Sequence, residues 1–199
     1  MNDFFTAVRN RRSVRVLGRE TPVARERILE LVEQAALFSP TAFNGQEQRL
    51  VVLLNERHAR FWDALKKKME AVVPPEGLAE THKKLDGFRG GTGTILVYQD
   101  TSVVKGFQER FPLYSDNFPV WAQNASGMLE YVLWASLCEE GFGVSLQHYS
   151  ALIEAETAAD LGISADWKLV SQMPFGKPQE SPSDGKTFEP LEKRVLVFE

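Results

Sequence analysis

The chain has 199 residues, 43% of them hydrophobic and 25% charged, and carries a net charge of -4. That length suits one domain able to bury about 70% of its unfolded surface, and the composition excludes a disordered or low-complexity chain. An acidic balance also argues against a nucleic-acid binder, whose basic face usually brings a high pI.

The first expected element is a helix from Asp3 to Asn10, with Phe4, Phe5 and Val8 on one side. Arg11-Arg12-Ser13-Val14-Arg15 follows directly, three guanidiniums and a hydroxyl in five residues. Residues 1–27 hold seven arginines against three carboxylates, a local +4 in an acidic protein. Guanidinium forks match phosphate oxygens two at a time, so the cluster points to a phosphate monoester; a solvated basic face is the plainer alternative. A second helix is expected over Arg25 to Leu37, with Ile28, Leu31, Val32, Ala35 and Ala36 as its buried stripe and Ser39-Pro40 as its stop.

Thr41-Ala42-Phe43-Asn44-Gly45-Gln46 reads as a polar loop, and Leu50 to Leu54 as a central buried strand. Thr41, Asn44 and Gln46 offer groups that donate and accept, suited to a heteroaromatic ring edge or to satisfying their own loop. Helices are expected over Arg57 to Ala71 and Leu78 to Phe88. Gly90-Gly91-Thr92-Gly93 precedes a strand, Thr94 to Tyr98, so it is not the dinucleotide fingerprint, which follows a strand and opens a helix. Phe107 to Trp121 is rich in aromatics, and Trp121 to Glu140 is the longest expected helix.

A polar loop, Ser145-Leu146-Gln147-His148-Tyr149, leads to a helix over Ile153 to Leu161 and a strand over Trp167 to Met173. A Pro/Gly/Ser-rich tail from Gly176 to Pro190 then reaches Lys193-Arg194 and a short strand, Val195 to Phe198. So long a loop before a terminal strand suits an arm that crosses to a second subunit. Mixed helices and strands without βαβ alternation indicate an α+β class in one domain, residues 1–199. The histidines (58, 82, 148) and Cys138 lack metal-ligand spacing, so no metal is expected. No apolar run nears the ~20 residues of a membrane span. The start of the chain shows no secretory signal, and the lone cysteine suits a reducing cytoplasm.

In order along the chain, several segments resemble the nitroreductase family of FMN-dependent oxidoreductases, in particular its short branch that includes the fungal fatty acid repression mutant proteins. They are Arg11-Arg12-Ser13-Val14-Arg15, Ser39 to Gln46, Gly93-Thr94, Asp116 to Trp121, Ser145 to Ser150 and Phe175-Gly176-Lys177-Pro178. The resemblance implies a central, mainly antiparallel sheet flanked by helices, in a homodimer with exchanged C-terminal arms and FMN at the interface. It implies that Arg11, Arg12 and Ser13 hold the FMN phosphate or ribityl chain, with Arg15 near the flavin N1/O2 edge. Thr41, Asn44 and Gln46 would come from the other subunit, and Leu146, Gln147 and His148 would pass over the ring. Lys193 and Arg194 would close on the phosphate. Two departures stand out: Glu47-Gln48-Arg49 replaces a frequent Pro-Trp, and Lys83-Lys84 matches no clear motif where relatives carry an Asn and a Lys.

The implied activity is hydride transfer from NAD(P)H through flavin N5 to a small nitroaromatic or quinone-like acceptor, with no side-chain nucleophile. A low-turnover flavin-binding redox sensor or regulatory protein is one alternative. A basic-cluster module for RNA or phospholipid headgroups is the other.

Overall fold

A computed structural model describes residues 3–182 and 186–199. Residues 183–185 of the Pro/Gly/Ser-rich tail lie outside the described residues. The fold is organised by strand β3 (Gly93–Asp100), every residue of which is buried. Successive side chains of a strand point to opposite faces, so a strand apolar on both sides needs helices above and below it. Ile95 and Val97 pack against α2 (Arg25–Phe38) and α6 (Asn117–Glu139). Leu96 and Tyr98 pack against α3 (Asn55–Met69), α4 (Pro75–Arg89) and α7 (Ser150–Leu161).

The sheet runs β1-β5-β3-β2 and is antiparallel throughout. β1 is Leu17–Gly18, β2 Gln48–Leu54 and β5 Trp167–Pro178; the short β4 (Gly143–Val144) also pairs with β5. Helix α1 (Phe4–Asn10) is capped by Asp3, whose carboxylate accepts from the Thr6 backbone N–H at 3.1 Å. The architecture is the expected α+β class.

Four readings of the sequence need correction. The Leu50 to Leu54 strand is an edge strand, and only Leu53 within it is buried, because among the described residues no strand pairs with its far side. Ala36 faces solvent, one position beyond the buried stripe of α2. Val195 to Phe198 forms no strand among the described residues: it lies exposed after a 3-10 turn at Leu191–Lys193, with Phe198 89% accessible. Finally, α5 (Thr101–Arg110) occupies a stretch assigned no element, started by Asp100, which accepts from the Ser102 N–H at 3.1 Å.

Behind the sheet, His58 is buried between α3 and β3. Its Nε2 faces the Arg89 carbonyl at 3.2 Å and so must carry the hydrogen; Nδ1 then accepts from the Thr94 hydroxyl at 2.8 Å. That hydroxyl in turn accepts from Trp62 Nε1 at 2.9 Å. Burial lowers the His58 pKa to about 4. Its folded pKa lies below its unfolded one, so the neutral ring contributes full stability above about pH 6.5 and loses it as pH falls towards 4. Unfolding free energy of the wild type should drop by roughly 3 kcal/mol more than that of His58→Gln across this window. Denaturant titrations at stepped pH measure the difference, and parallel curves for the two proteins would contradict the account.

Candidate active site

The arginine cluster is held extended between two anchors. Ser13 forms a parallel bridge with Val144, and the Val14 N–H donates to the Val144 carbonyl at 3.0 Å. Past it, β1 pairs with the end of β5. Val14 and Leu17 point into the core, which leaves Arg12, Ser13 and Arg15 outside it. Helix α6 makes the floor: the Arg11 guanidinium sits 4.4 Å from the Trp134 ring centre and 5.9 Å from that of Tyr131. Four cations, Arg11, Arg12, Arg15 and Lys186, surround a cavity of about 380 Å³ with Ser13, Glu180 and Ser181. The buried Nε of Arg11 has no acceptor among the described residues. Cys138, one turn beyond Trp134, receives the Arg12 backbone N–H, and burial pushes its thiol up to about 11. It is a small neutral packing group.

A second cavity, of about 570 Å³, meets the first at Arg15 and Glu180 and brings in Thr81, Lys83 and Lys84 from α4. Lys84 Nζ also lies 5.5 Å above the Tyr149 ring. Glu180 is the carboxylate at the junction, accepting from the backbone N–H groups of Arg15 at 3.2 Å and Val16 at 3.3 Å. The wall is narrow: a Cβ on Gly87 would meet the Arg15 carbonyl oxygen at 2.6 Å, so only glycine lets α4 come this close.

The Ser13–Val144 bridge sets the Ser145–Tyr149 loop beside the cluster. Gln172 of β5 fixes that loop. Gln147 and Gln172 exchange backbone hydrogen bonds of 2.8 and 2.9 Å, and Gln172 Oε1 accepts from the Tyr149 N–H at 2.7 Å. Leu146 packs on the core, the Gln147 amide turns back onto Ser145 Oγ and the Leu146 carbonyl, and His148 is exposed. Beneath the loop, buried Glu130 accepts from the Ser171 hydroxyl at 2.5 Å. Burial raises its pKa, against the pull of that bond and of His148.

Thr41, Asn44 and Gln46 lie elsewhere. Their turn places Phe43, Asn44 and Gln46 at positive φ and is closed by the Gln46 N–H donating to Thr41 Oγ1 at 3.0 Å. Phe43, 55% exposed, rests on Phe107, Phe111, Phe118 and Trp121 with ring centres 5.1 to 6.2 Å away. On β5, the start of β2 is level with Lys168 and the cluster with Lys177, nine residues or about 30 Å apart. One chain therefore gathers Arg11, Arg12, Ser13, Arg15 and Leu146, Gln147, His148, and leaves Thr41, Asn44 and Gln46 at the far corner. Lys193 and Arg194 sit on the exposed terminal turn, Lys193 beside Glu189 at 3.6 Å.

Sequence reading missed Glu180 and Lys186, which lie in a featureless polar tail, and also Glu130. The signal for Glu130 was there: with Ser126, Leu133 and Leu137 it falls in the buried stripe of α6, where a lone carboxylate is out of place.

The model of the nitroreductase family matches residues 8–177. The chain is a member of that family. Nitroreductase FRM2 of Saccharomyces cerevisiae is 30% identical over 189 residues, covering 94% of this chain and 93% of that protein. Nitroreductase CinD from Lactococcus lactis, solved with nicotinic acid, superimposes with a TM-score of 0.92 at 37% identity, over 99% of this chain and all of that one. A structure from Desulfovibrio desulfuricans solved with FMN has a TM-score of 0.72 at 19% identity, over 100% of this chain and 98% of that one, a likeness of fold. Nitroreductase membership carries the coarse assignment, a flavin oxidoreductase.

Within this nitroreductase, Gly87→Ala should force α4 away from the Arg15–Val16 segment. Overpacking of that kind costs about 1–3 kcal/mol. A chemical denaturation midpoint equal to that of the wild type would show that the wall yields freely.

Proposed function

We propose that the protein is a single-domain, FMN-dependent oxidoreductase, residues 1–199, that passes hydride from NAD(P)H to nitroaromatic or quinone-like acceptors. The observation that carries this reading is the Ser13–Val144 bridge, which seats four cations and a hydroxyl next to the Ser145–His148 loop in a nitroreductase fold. The donor set fits the cofactor. A phosphate dianion offers an acceptor to the buried Arg11 Nε and further acceptors to the groups around the cavity, Arg12, Ser13 and Lys186, each charge-assisted bond contributing about 1.5–3 kcal/mol. Arg15 and Lys84 supply cations where the second cavity opens, suited to an electron-rich ring edge. Leu146, Gln147 and His148 form the rigid rim over which the ring lies. When bound, FMN supplies the two-electron chemistry, which the chain's side chains do not perform themselves.

The active form in this reading is a homodimer, and two features support it. Strand β2 is apolar yet has an open edge, while Val195 to Phe198 is strand-like in sequence yet exposed and unpaired. A second copy's arm laid beside the first copy's sheet answers both, since open edges and stranded apolar residues call for a partner. The same exchange carries Lys193 and Arg194 towards the partner's phosphate site and lets Thr41, Asn44 and Gln46 reach the partner's ring. A cytoplasmic setting accords with the single, half-buried free cysteine.

The absorbance spectrum of the purified protein, followed by steady-state NAD(P)H oxidation with menadione or a nitrobenzoate, tests the function. A yellow protein without turnover would make it a flavin-binding sensor instead. Arg11→Ala combined with Arg12→Ala should weaken FMN retention more than tenfold; full flavin stoichiometry after dialysis would remove both residues from the site. Truncation after Pro190 should yield monomers in analytical ultracentrifugation with reduced flavin content, whereas an intact, loaded dimer would exclude the exchanged arm.

A further inference from the structure

Arginines in this fold are mostly fixed by carboxylates: Arg27, Arg49, Arg57, Arg60 and Arg89 each donate to one. Arg11 is fixed differently. Its backbone ends α1, the N–H donating to the Ala7 carbonyl at 3.1 Å. Its side chain donates to no carboxylate among the described residues, and its buried Nε has no acceptor there. The guanidinium lies instead over two rings of α6, 4.4 Å from the centre of Trp134 and 5.9 Å from that of Tyr131. Those rings are three residues apart and so share one face of the helix. Trp134 Nε1 is itself buried without an acceptor among the described residues, so what the indole offers here is its face rather than its N–H.

The choice of partner has a chemical meaning. A carboxylate would engage the donor fork of Arg11 and cancel the charge that a phosphate needs. An aromatic face attracts the guanidinium through the ring quadrupole and accepts none of its N–H groups in the ring plane. The cavity of about 380 Å³ is lined by Arg11 and by neither ring, so the guanidinium stands between α6 and that cavity.

Resting on the proposed function, we propose that Trp134, seconded by Tyr131, is the positioning residue that presents Arg11 to the FMN phosphate. The rings hold a side chain of many rotamers in one place while leaving its charge and its donors available. Without them the ligand must order Arg11 itself, and affinity falls accordingly. That role concerns the phosphate alone. Riboflavin, which has the same ring and ribityl chain without the phosphate, should not sense it.

The experiment titrates flavin-free protein with FMN and with riboflavin, following the quenching of flavin fluorescence. Trp134→Leu should weaken FMN about tenfold and leave riboflavin unchanged. Trp134→Phe keeps a smaller face and should weaken FMN about threefold, a result that stays readable if the leucine variant fails to fold. In an Arg11→Ala background, Trp134→Leu should cost FMN nothing further. Equal losses for FMN and riboflavin, no loss for either, or a loss undiminished without Arg11 would each overturn the positioning role. Wild-type protein that binds neither flavin would instead sink the functional reading itself, so the two failures are told apart.

Discussion

Strand β5 is the constraint on which the site depends. From Trp167 to Phe175 it pairs with β3 and so belongs to the core sheet; its end, Phe175 to Pro178, pairs with β4 and β1, next to which lie the start of the Ser145–Tyr149 loop and the arginine cluster. Midway along β5 sit Ser171 and Gln172, buried and both spent on polar ties rather than packing. Twelve residues of one strand thus transmit the rigidity of the hydrophobic layers to a set of charged groups at their edge. Functional side chains need supports that do not move, and a strand buried on both faces is such a support.

The polar groups around this strand divide by how they are satisfied. Those of the Thr41–Gln46 turn and the Gln147 side chain close on their own loops. In the arginine cluster the buried Arg11 Nε has no acceptor among the described residues, and like charges crowd one cavity. Gathering like charges opposes folding, a cost that an anionic ligand would offset. Glu180 meets only part of the demand, through two backbone N–H groups.

Much of this was legible in the residues. Ile95 to Tyr98 announced a strand buried on both sides, and the periodicity of α2 placed Ile28, Leu31, Val32 and Ala35 inward because both signals are local. The arginine cluster stood out because it opposes the sign of the whole chain. Position within the sheet was not legible: Leu50 to Leu54 reads as a central strand, and an apolar run cannot say whether its neighbour is its own chain or another's. The same ambiguity hid the fate of Val195 to Phe198. Helix α5 was masked by aromatics that suggest packing without a period. Lys83 and Lys84 gained a place at the site only through the close approach that Gly87 permits, a contact no spacing rule encodes.

Cys138 offers a last consequence. With its pKa at about 11, roughly one molecule in ten thousand carries a thiolate at pH 7, and the sulfur lies behind Arg12 rather than in the open. Electrophiles such as quinones are attacked by the thiolate and scarcely by the neutral thiol. Burial keeps the chain's single thiol neutral, so an electrophile that reaches the arginine cluster meets no reactive thiolate behind it.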